Sequence, residues 1–307
     1  MPAVGYSIQG GVADFPQSKG DNYMVIRSDV AQQQGTSLVV SQGQTRASPT
    51  SEATEREPPL RADPGRPFLI KYGKHLRGVC DWLIARCSLI SNEPLLNVSD
   101  FPWTALLRNN WEAIRDEAVA AALEKPAPSL ANISPDHRAI AEVDKWRSFF
   151  LWGYGYLIRE NLDQCPVTAS VMERIPGLNT AFFSILAPGT RIPPHRGVTK
   201  GLITCHLGLI VPPKGDVGMR VRDHTVHWSD GGIIVFDDTF DHEVWNDTDG
   251  TRVVLLLQVR RPLKQPGKWF VDKFLAWIRG SAFVQEALAN LLSWNAAMKA
   301  LETDMSS

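Results

Sequence analysis

The chain is poor in cysteine, and none of its cysteines stands in a C-x-x-C pair. Four are spread over 307 residues: Cys80, Cys87, Cys165 and Cys205. Secreted disulfide scaffolds are short and dense in cysteine, so a disulfide framework is not expected here. The sequence predicts reduced thiols and a cytoplasmic protein.

The chain also lacks a long apolar run and a strong excess of charge. No 18 consecutive residues are apolar, and the beginning of the chain has no apolar stretch of the signal-peptide kind. The formal net charge is −1, so a nucleic-acid polymer is not an expected partner. Hydrophobic residues make up 44% of the chain, which is enough for a large core.

Residues 1–66 have a composition of their own. Gly, Gln, Ser, Thr and Pro dominate residues 31–67, and aromatic residues are scarce there. Such a segment buries too little apolar surface to fold, so we predict a disordered N-terminal tail. Within it, a short strand is compatible with residues 23–26 or 37–40.

Helical sequence patterns occur on both sides of residues 146–262. Residues 67–145 are predicted to form a helical leader, with apolar residues at helical spacing in 68–90 and 105–123. Residues 263–307 are predicted to form helices in two pieces that meet near Gly280.

Two of these segments, 68–90 and 264–279, combine an apolar face with basic residues. Either they pack on the central domain, or they lie on an anionic membrane as amphipathic helices. The second segment could also form a dimer contact, and the oligomeric state is left open. Under the membrane interpretation the protein would be membrane-associated.

Short strands separated by turns rich in Gly and Asp are predicted between residues 146 and 262. They are expected at 146–156, 180–186, 191–195, 202–211, 219–221, 225–228, 232–236 and 253–259. This succession is typical of a closed antiparallel barrel. The predicted fold is therefore mostly β with flanking helices, as a double-stranded β-helix of the jelly-roll, cupin-like type.

Two histidines stand out in this central part. His195 and His242 are 47 residues apart, each beside a strand-like run. Imidazole suits Fe(II), and a site with few protein ligands leaves positions for a cosubstrate and O2. Arg252 follows His242 by ten residues, and an arginine at the head of an inward-pointing strand can hold a dicarboxylate through two hydrogen bonds.

Residues 167–262 contain the motifs H-x-G, H-L-G-L and F-D-D-T-F-x-H-E-V-W, followed by an arginine. This series resembles the aspartyl/asparaginyl β-hydroxylase family of Fe(II)/2-oxoglutarate-dependent oxygenases. The resemblance implies that His195 and His242 are catalytic iron ligands, and that Ser184, His206 and Arg252 bind 2-oxoglutarate. A shorter run, F-P-x-x-x-x-L-R-x-N-W, is similar to bacterial lipid A hydroxylases of the same family.

The sequence departs from the commoner oxygenase pattern at Gly197. Most 2-oxoglutarate oxygenases carry a carboxylate ligand at that place, whereas glycine leaves a coordination position open for water or an anion. Asp237 and Asp238 are expected to orient His242 from the preceding turn.

Departures from the family also bear on the substrate. Leu202 and Thr204 stand where peptide-aspartate hydroxylases of the family carry arginines, which argues against a peptidyl aspartate. The candidate substrate contacts are Arg196, Lys200, Thr204 and Tyr154. Arg196 and Lys200 fit a second interpretation equally, as solvated loop residues.

Three functions follow from these observations. The favoured one is hydroxylation of an unactivated C–H of a polar substrate (amino-acid-like, nucleotide-like or lipid-linked), with release of succinate and CO2. The second is a halogenase that places chloride beside Gly197 and acts on a small anionic metabolite or nucleotide. The third is a non-catalytic ligand-binding barrel, which the histidine pair disfavours.

Overall fold

The computed structural model describes residues 24–26, 74–138 and 140–305. Most of the predicted tail, including the alternative strand at 37–40, lies outside the described residues. The strand expected at 23–26 is present as β1, Met24–Ile26. The division into tail, leader, β domain and C-terminal helices stays a prediction.

The described elements alternate between short helices and strands. The helices are α1 (Lys74–Cys87), α2 (Thr104–Asn109), α3 (Trp111–Ala122), α4 (Leu130–Ile133), α5 (Arg159–Leu162), α6 (Pro166–Met172), α7 (Gly267–Arg279) and α8 (Ala282–Met305). The remaining strands are β2 (Leu95–Leu96), β3 (Trp146–Gly153), β4 (Tyr156–Ile158), β5 (Leu178–Leu186), β6 (Thr190–His195), β7 (Leu202–Ile210), β8 (Asp216–Val221), β9 (His224–His227), β10 (Ile233–Phe236), β11 (His242–Asp247) and β12 (Arg252–Arg260). Single 3-10 turns occur at Val98–Asp100 and Pro135–His137.

The strands form two sheets. The larger sheet has the order β1-β4-β3-β5-β12-β7-β10-β2, and the smaller one has the order β6-β11-β8-β9. This is the predicted jelly-roll, cupin-like architecture, mostly β with flanking helices. One detail of the expectation was wrong: the described strands make two sheets rather than a closed barrel, because no strand of one sheet is hydrogen-bonded to the other.

Both faces of the larger sheet are buried. Successive side chains of each strand point alternately to the helices and to the space between the sheets. In β12, Val253, Leu255 and Leu257 belong to the apolar cluster beneath the helices. Arg252 and Leu256 point the other way, into the space between the sheets. A strand places successive side chains on opposite faces, so one strand supplies both core and cavity.

Helices cover the outer face of the larger sheet. Ile114 and Ala118 of α3 and Met172 of α6 are fully or almost fully buried in the cluster under them. The unit predicted at 105–123 is divided into α2 and α3 at Asn110, whose side-chain amide donates to the Leu106 carbonyl (2.8 Å). An asparagine amide that competes for backbone groups in this way disfavours a continuous helix.

The C-terminal helices follow the prediction. α7 and α8 are separated at Gly280, as expected from the sequence. α7 packs against α1 through an apolar cluster that includes Ile84, Cys87, Val271 and Leu275. Among the described helices, none combines the length and the apolar composition that a bilayer crossing needs.

Removal of a ring from the sheet core should destabilise the protein strongly. Phe183 is fully buried and stacks on Phe149, with 6.2 Å between ring centroids. We expect Phe183→Ala to lower the free energy of unfolding by about 3–5 kcal/mol, since it leaves a cavity. Leu301→Ala, at a position that is 52% exposed, should change it by less than about 0.5 kcal/mol. Urea denaturation measures both, and equal losses would contradict this account of the core.

Candidate functional site

A cavity of about 750 Å³ opens between the two sheets. Inner side chains of β5, β7 and β12 form one wall, β6 and β11 form the opposite wall, and α1 and α7 border it. Nine of the predicted site residues line it: Tyr154, Ser184, His195, Arg196, Gly197, Thr204, His206, His242 and Arg252.

The two predicted metal ligands face each other across adjacent strands. His195 ends β6, His242 begins β11, and the two are directly paired in the ladder. Their ring centroids are 4.1 Å apart. Each Nδ1 lies 2.9 Å from a backbone carbonyl, of Pro193 and Phe240 respectively. These bonds favour a proton on Nδ1, which leaves both Nε2 lone pairs available for a metal.

Burial keeps this histidine pair neutral. It lowers the pKa of His195 to about 4, with a further contribution from His242. Burial also lowers the pKa of His242. A neutral imidazole is the form that binds a metal, so burial favours the metal-binding form of both rings.

The deepest charge in the cavity belongs to Arg252. Its side chain is almost fully buried, and its guanidinium lies 4.5 Å from the centre of the Trp228 ring. Nη1 is 3.4 Å from the Ser184 hydroxyl, and Nε has no hydrogen-bond partner in the described part of the chain. Burial lowers the pKa of Arg252 to about 9. An arginine buried without an acidic partner is costly, so this end of the cavity suits an anionic ligand.

More unsatisfied polar atoms surround Arg252. Both ring nitrogens of His206 and Nε1 of Trp228 are buried without hydrogen-bond partners among the described residues. Burial and then the charge of Arg252 hold the pKa of His206 well below its usual range. The Ser184 hydroxyl accepts from Trp146 Nε1 at 3.0 Å and from Arg252 Nη1 at 3.4 Å, and in the described part of the chain its hydrogen is left to donate to a ligand. These groups fit a dicarboxylate such as 2-oxoglutarate.

Trp228 was not among the predicted site residues. In the sequence it is one tryptophan after a hairpin, and only its contact with Arg252 and His206 reveals its position. His137 was missed too. It lines the cavity, its Nδ1 lies 2.7 Å from the Ser134 hydroxyl, and burial lowers its pKa to about 4. Neither residue has a spacing that links it to the motifs.

Asp238 fills the space beside Gly197. A Cβ atom at position 197 would lie only 2.1 Å from Asp238 Oδ1, so no larger residue fits there unless the carboxylate moves. Asp238 Oδ2 accepts from Thr204 (2.9 Å) and Gln258 (3.0 Å), whereas Oδ1 has no partner in the described part of the chain. Burial raises the pKa of Asp238 to about 6. A carboxylate from the turn between β10 and β11 thus stands beside position 197.

The expected role of Asp237 and Asp238 in orienting His242 is not seen. The Phe240 carbonyl holds His242 instead. Asp237 is fully buried and forms ion pairs with Lys200 and Arg261. Lys200, considered as a substrate contact, is therefore committed to Asp237 and does not line the cavity. Its buried carboxylate partner accounts for this placement.

Of the other candidate substrate contacts, Thr204 is buried and bonded to Asp238, while Arg196 and Tyr154 stand nearer the surface. The Arg196 side chain is 60% exposed and lies 4.0 Å from Asp241. Tyr154 occupies a turn with φ 50°. Within the described residues, no group of three or more His, Cys, Asp or Glu is arranged to hold a metal ion.

The sequence profile of the aspartyl/asparaginyl beta-hydroxylases matches residues 108–262. This span is half of the chain and contains the whole histidine and arginine constellation. The chain belongs to this family. Its membership confirms the resemblance seen in the motifs and makes the protein a member of a hydroxylase family.

Relatives with very different lengths share this region. The chain is 38% identical over 207 residues to an ornithine lipid ester-linked acyl 2-hydroxylase from Rhizobium tropici, with 67% of this chain and 74% of that protein covered. It is 33% identical over 168 residues to the human aspartyl/asparaginyl beta-hydroxylase, covering 52% of this chain and 21% of that protein. The chain therefore spans most of the bacterial relative but about a fifth of the human one.

Solved structures with a similar fold are more distant. The cupin domain of a transcriptional regulator from Enterobacter cloacae is 14% identical, with a TM-score of 0.28, and the match covers 39% of this chain and all of that domain.

Metal binding should depend on both histidines of the pair. We expect His195→Ala and His242→Ala each to weaken Co(II) binding by more than the roughly 10- to 100-fold that loss of an outer-sphere partner costs. His227→Ala is the matched control, because His227 lies on β9 and bonds to Asp216 (3.0 Å). Calorimetry or the Co(II) absorption spectrum gives the affinity without turnover. Unchanged binding in both variants would refute the site.

Proposed function

We propose that this protein is an Fe(II)- and 2-oxoglutarate-dependent oxygenase that hydroxylates the acyl chain of a lipid with an amino-acid head group. The observation that carries the proposal is Arg252, buried without an acidic partner among the described residues, in the same cavity as the histidine pair. The similarity to the Rhizobium acyl 2-hydroxylase supports the choice of substrate.

The polar residues of the cavity would have separate roles in this reaction. His195 and His242 would hold the iron, and Arg252 would pair with the far carboxylate of 2-oxoglutarate beside the Ser184 hydroxyl. His206, neutral and without a partner in the described part of the chain, would donate a hydrogen bond to a carboxylate near the metal. Iron and 2-oxoglutarate, when bound with O2, supply the oxidation of a substrate C–H with release of succinate and CO2.

The remaining cavity wall is apolar and suits an alkyl chain. Phe150 and Phe182 stack at 4.6 Å on the larger sheet, Leu256 lies beside them, and Phe270 and Phe274 of α7 add two further rings. Burial of methylene groups against such a wall is favourable at about 0.8 kcal/mol each. An acyl chain fits this wall, whereas a small polar metabolite would leave it in contact with water.

The exposed lining residues Arg196, Val198 and Trp277 mark the mouth of the cavity, and charges of both signs border it. Arg77 of α1 donates to the Gly197 carbonyl (2.7 Å) and to Asp81 (3.4 Å), and both side chains line the cavity. A carboxylate and an ammonium group on one head group would find complementary partners in Arg77 and Asp81. This supports a zwitterionic, amino-acid-like head group held at the mouth.

The surroundings of Gly197 favour hydroxylation over halogenation. The space of a side chain at this position is taken by the Asp238 carboxylate, which is mostly ionised at neutral pH because its pKa is about 6. A chloride placed next to that carboxylate would be repelled. A water molecule could instead donate a hydrogen bond to the unpaired Asp238 Oδ1.

Product analysis tests the proposed function. The full chain is incubated with Fe(II), 2-oxoglutarate and a synthetic ornithine lipid, with and without chloride. We expect a lipid product heavier by one oxygen atom and an equal amount of succinate, at any chloride concentration. His242→Ala, which removes one metal ligand, is the negative control. A chlorinated lipid would establish the halogenase instead, and an unchanged lipid would exclude this substrate.

A substitution can show whether Arg252 acts through its planar guanidinium or only through its positive charge. Arg252→Lys keeps a cation but loses the planar fork that binds a carboxylate twice. We expect the 2-oxoglutarate concentration needed for half-maximal turnover to rise by roughly 10- to 100-fold, because one charge-assisted hydrogen bond is lost. Arg260→Lys is the matched control on the same strand, where Arg260 pairs with Asp272 (2.9 Å). An equal rise in both variants would disprove this placement.

A further inference from the structure

The cavity mouth is bordered by two helices that pack against each other. α1 contributes Arg77 and Asp81 to the cavity lining, and α7 contributes Phe270, Phe274 and Trp277. The three α7 rings follow one another, with centroids 6.4 Å and 6.0 Å apart. They form a continuous aromatic wall from the cavity to the outer surface.

Large apolar side chains are exposed on the two helices and the loop that border this mouth, and two of them, Val198 and Trp277, also line the cavity. We call them the mouth surface: Val79 and Trp82 of α1, Val198 of the loop after His195, and Trp269 and Trp277 of α7. Trp82 is 58% exposed and Trp269 is 59% exposed. These five are half of the ten large exposed hydrophobic residues in the described part of the chain. Their concentration on two helices that pack together, and on the loop that Arg77 joins to them, marks an interaction surface.

The charge of the two helices is complementary to an anionic partner. Together α1 and α7 contain six Lys or Arg residues and two Asp, whereas the whole chain has a net charge of −1. Both aspartates have cationic partners, Asp81 in Arg77 and Asp272 in Lys268. Arg86 and Lys273 are exposed on the outer sides of the helices, one turn from Trp82 and Trp269 respectively.

We propose that the mouth surface docks on an anionic lipid bilayer, with α1 and α7 lying in the interface. Exposed tryptophans next to basic residues are the composition of helices that bind in this plane. The aromatic wall of α7 then leads an acyl chain from the bilayer into the cavity without passage through water. This inference rests on the proposed function for its substrate, but docking itself is measurable without turnover.

Vesicle co-sedimentation of the full chain tests the docking. Wild-type protein should bind phosphatidylcholine–phosphatidylglycerol vesicles at low salt, bind less at high salt, and bind weakly to phosphatidylcholine alone. Trp82→Ser and Trp269→Ser should each weaken partitioning about tenfold, as expected for the partial burial of one large apolar side chain. Val143→Ser and Leu301→Ser are the controls, because these residues are exposed outside the mouth surface.

A second measurement uses the ornithine lipid in two forms. The Trp82→Ser/Trp269→Ser double variant should lose turnover of lipid embedded in vesicles and keep turnover of the same lipid in detergent micelles. Absence of wild-type binding to anionic vesicles, or equal binding by the double variant, would overturn docking. So would a wild-type dimer that Trp82→Ser converts to monomers. Protein that docks but leaves the lipid unoxidised would overturn the proposed function alone.

Discussion

The register between β6 and β11 is the constraint on which the site depends. It sets His195 directly opposite His242, and a slip of one residue would turn one ring away from the other. The ladder is irregular just after His242, between His242 and Val244, so the histidine pair coincides with a local departure from regular pairing. Such irregularities re-aim side chains next to active sites. The Pro193 and Phe240 carbonyls then fix the two rings.

The second constraint is that side chains alternate between the two faces of the larger sheet. Ser184, His206 and Arg252 come from three neighbouring strands, β5, β7 and β12, and all point toward the smaller sheet. The intervening residues are buried beneath the helices on the other face, which keeps the strands rigid. A buried arginine that lacks an acidic partner among the described residues weakens the folded protein. The apolar packing of the sheet supports it, and a bound dicarboxylate would relieve its cost.

Much of the fold was predictable because its signals are local. The strands of the β domain and the break at Gly280 follow from short-range patterns. β11 was not predicted as a separate strand, because Asp, Asn and Glu are depleted in strands, although His242, Val244 and Asn246 alternate as buried residues. His195, His242, Ser184, His206 and Arg252 were placed by motif. Asp238 was singled out in the motif, but it stands beside position 197 rather than bonding to His242. Trp228 and His137 reach the site through contacts between distant segments, which no spacing encodes.

A neutral residue at the cavity wall bears on the substrate that we propose for this member of the family. Where peptide hydroxylases of the family carry arginines on the strand, Thr204 is neutral, buried and bonded to Asp238. The cations left in the cavity lining, apart from Arg252, are Arg77 and Arg196 at the mouth. With Arg252 assigned to 2-oxoglutarate, the proposed function leaves attraction for an anionic group of the substrate to the rim of the cavity. A head group held at the rim leaves the apolar wall to its chain, as an acyl lipid requires.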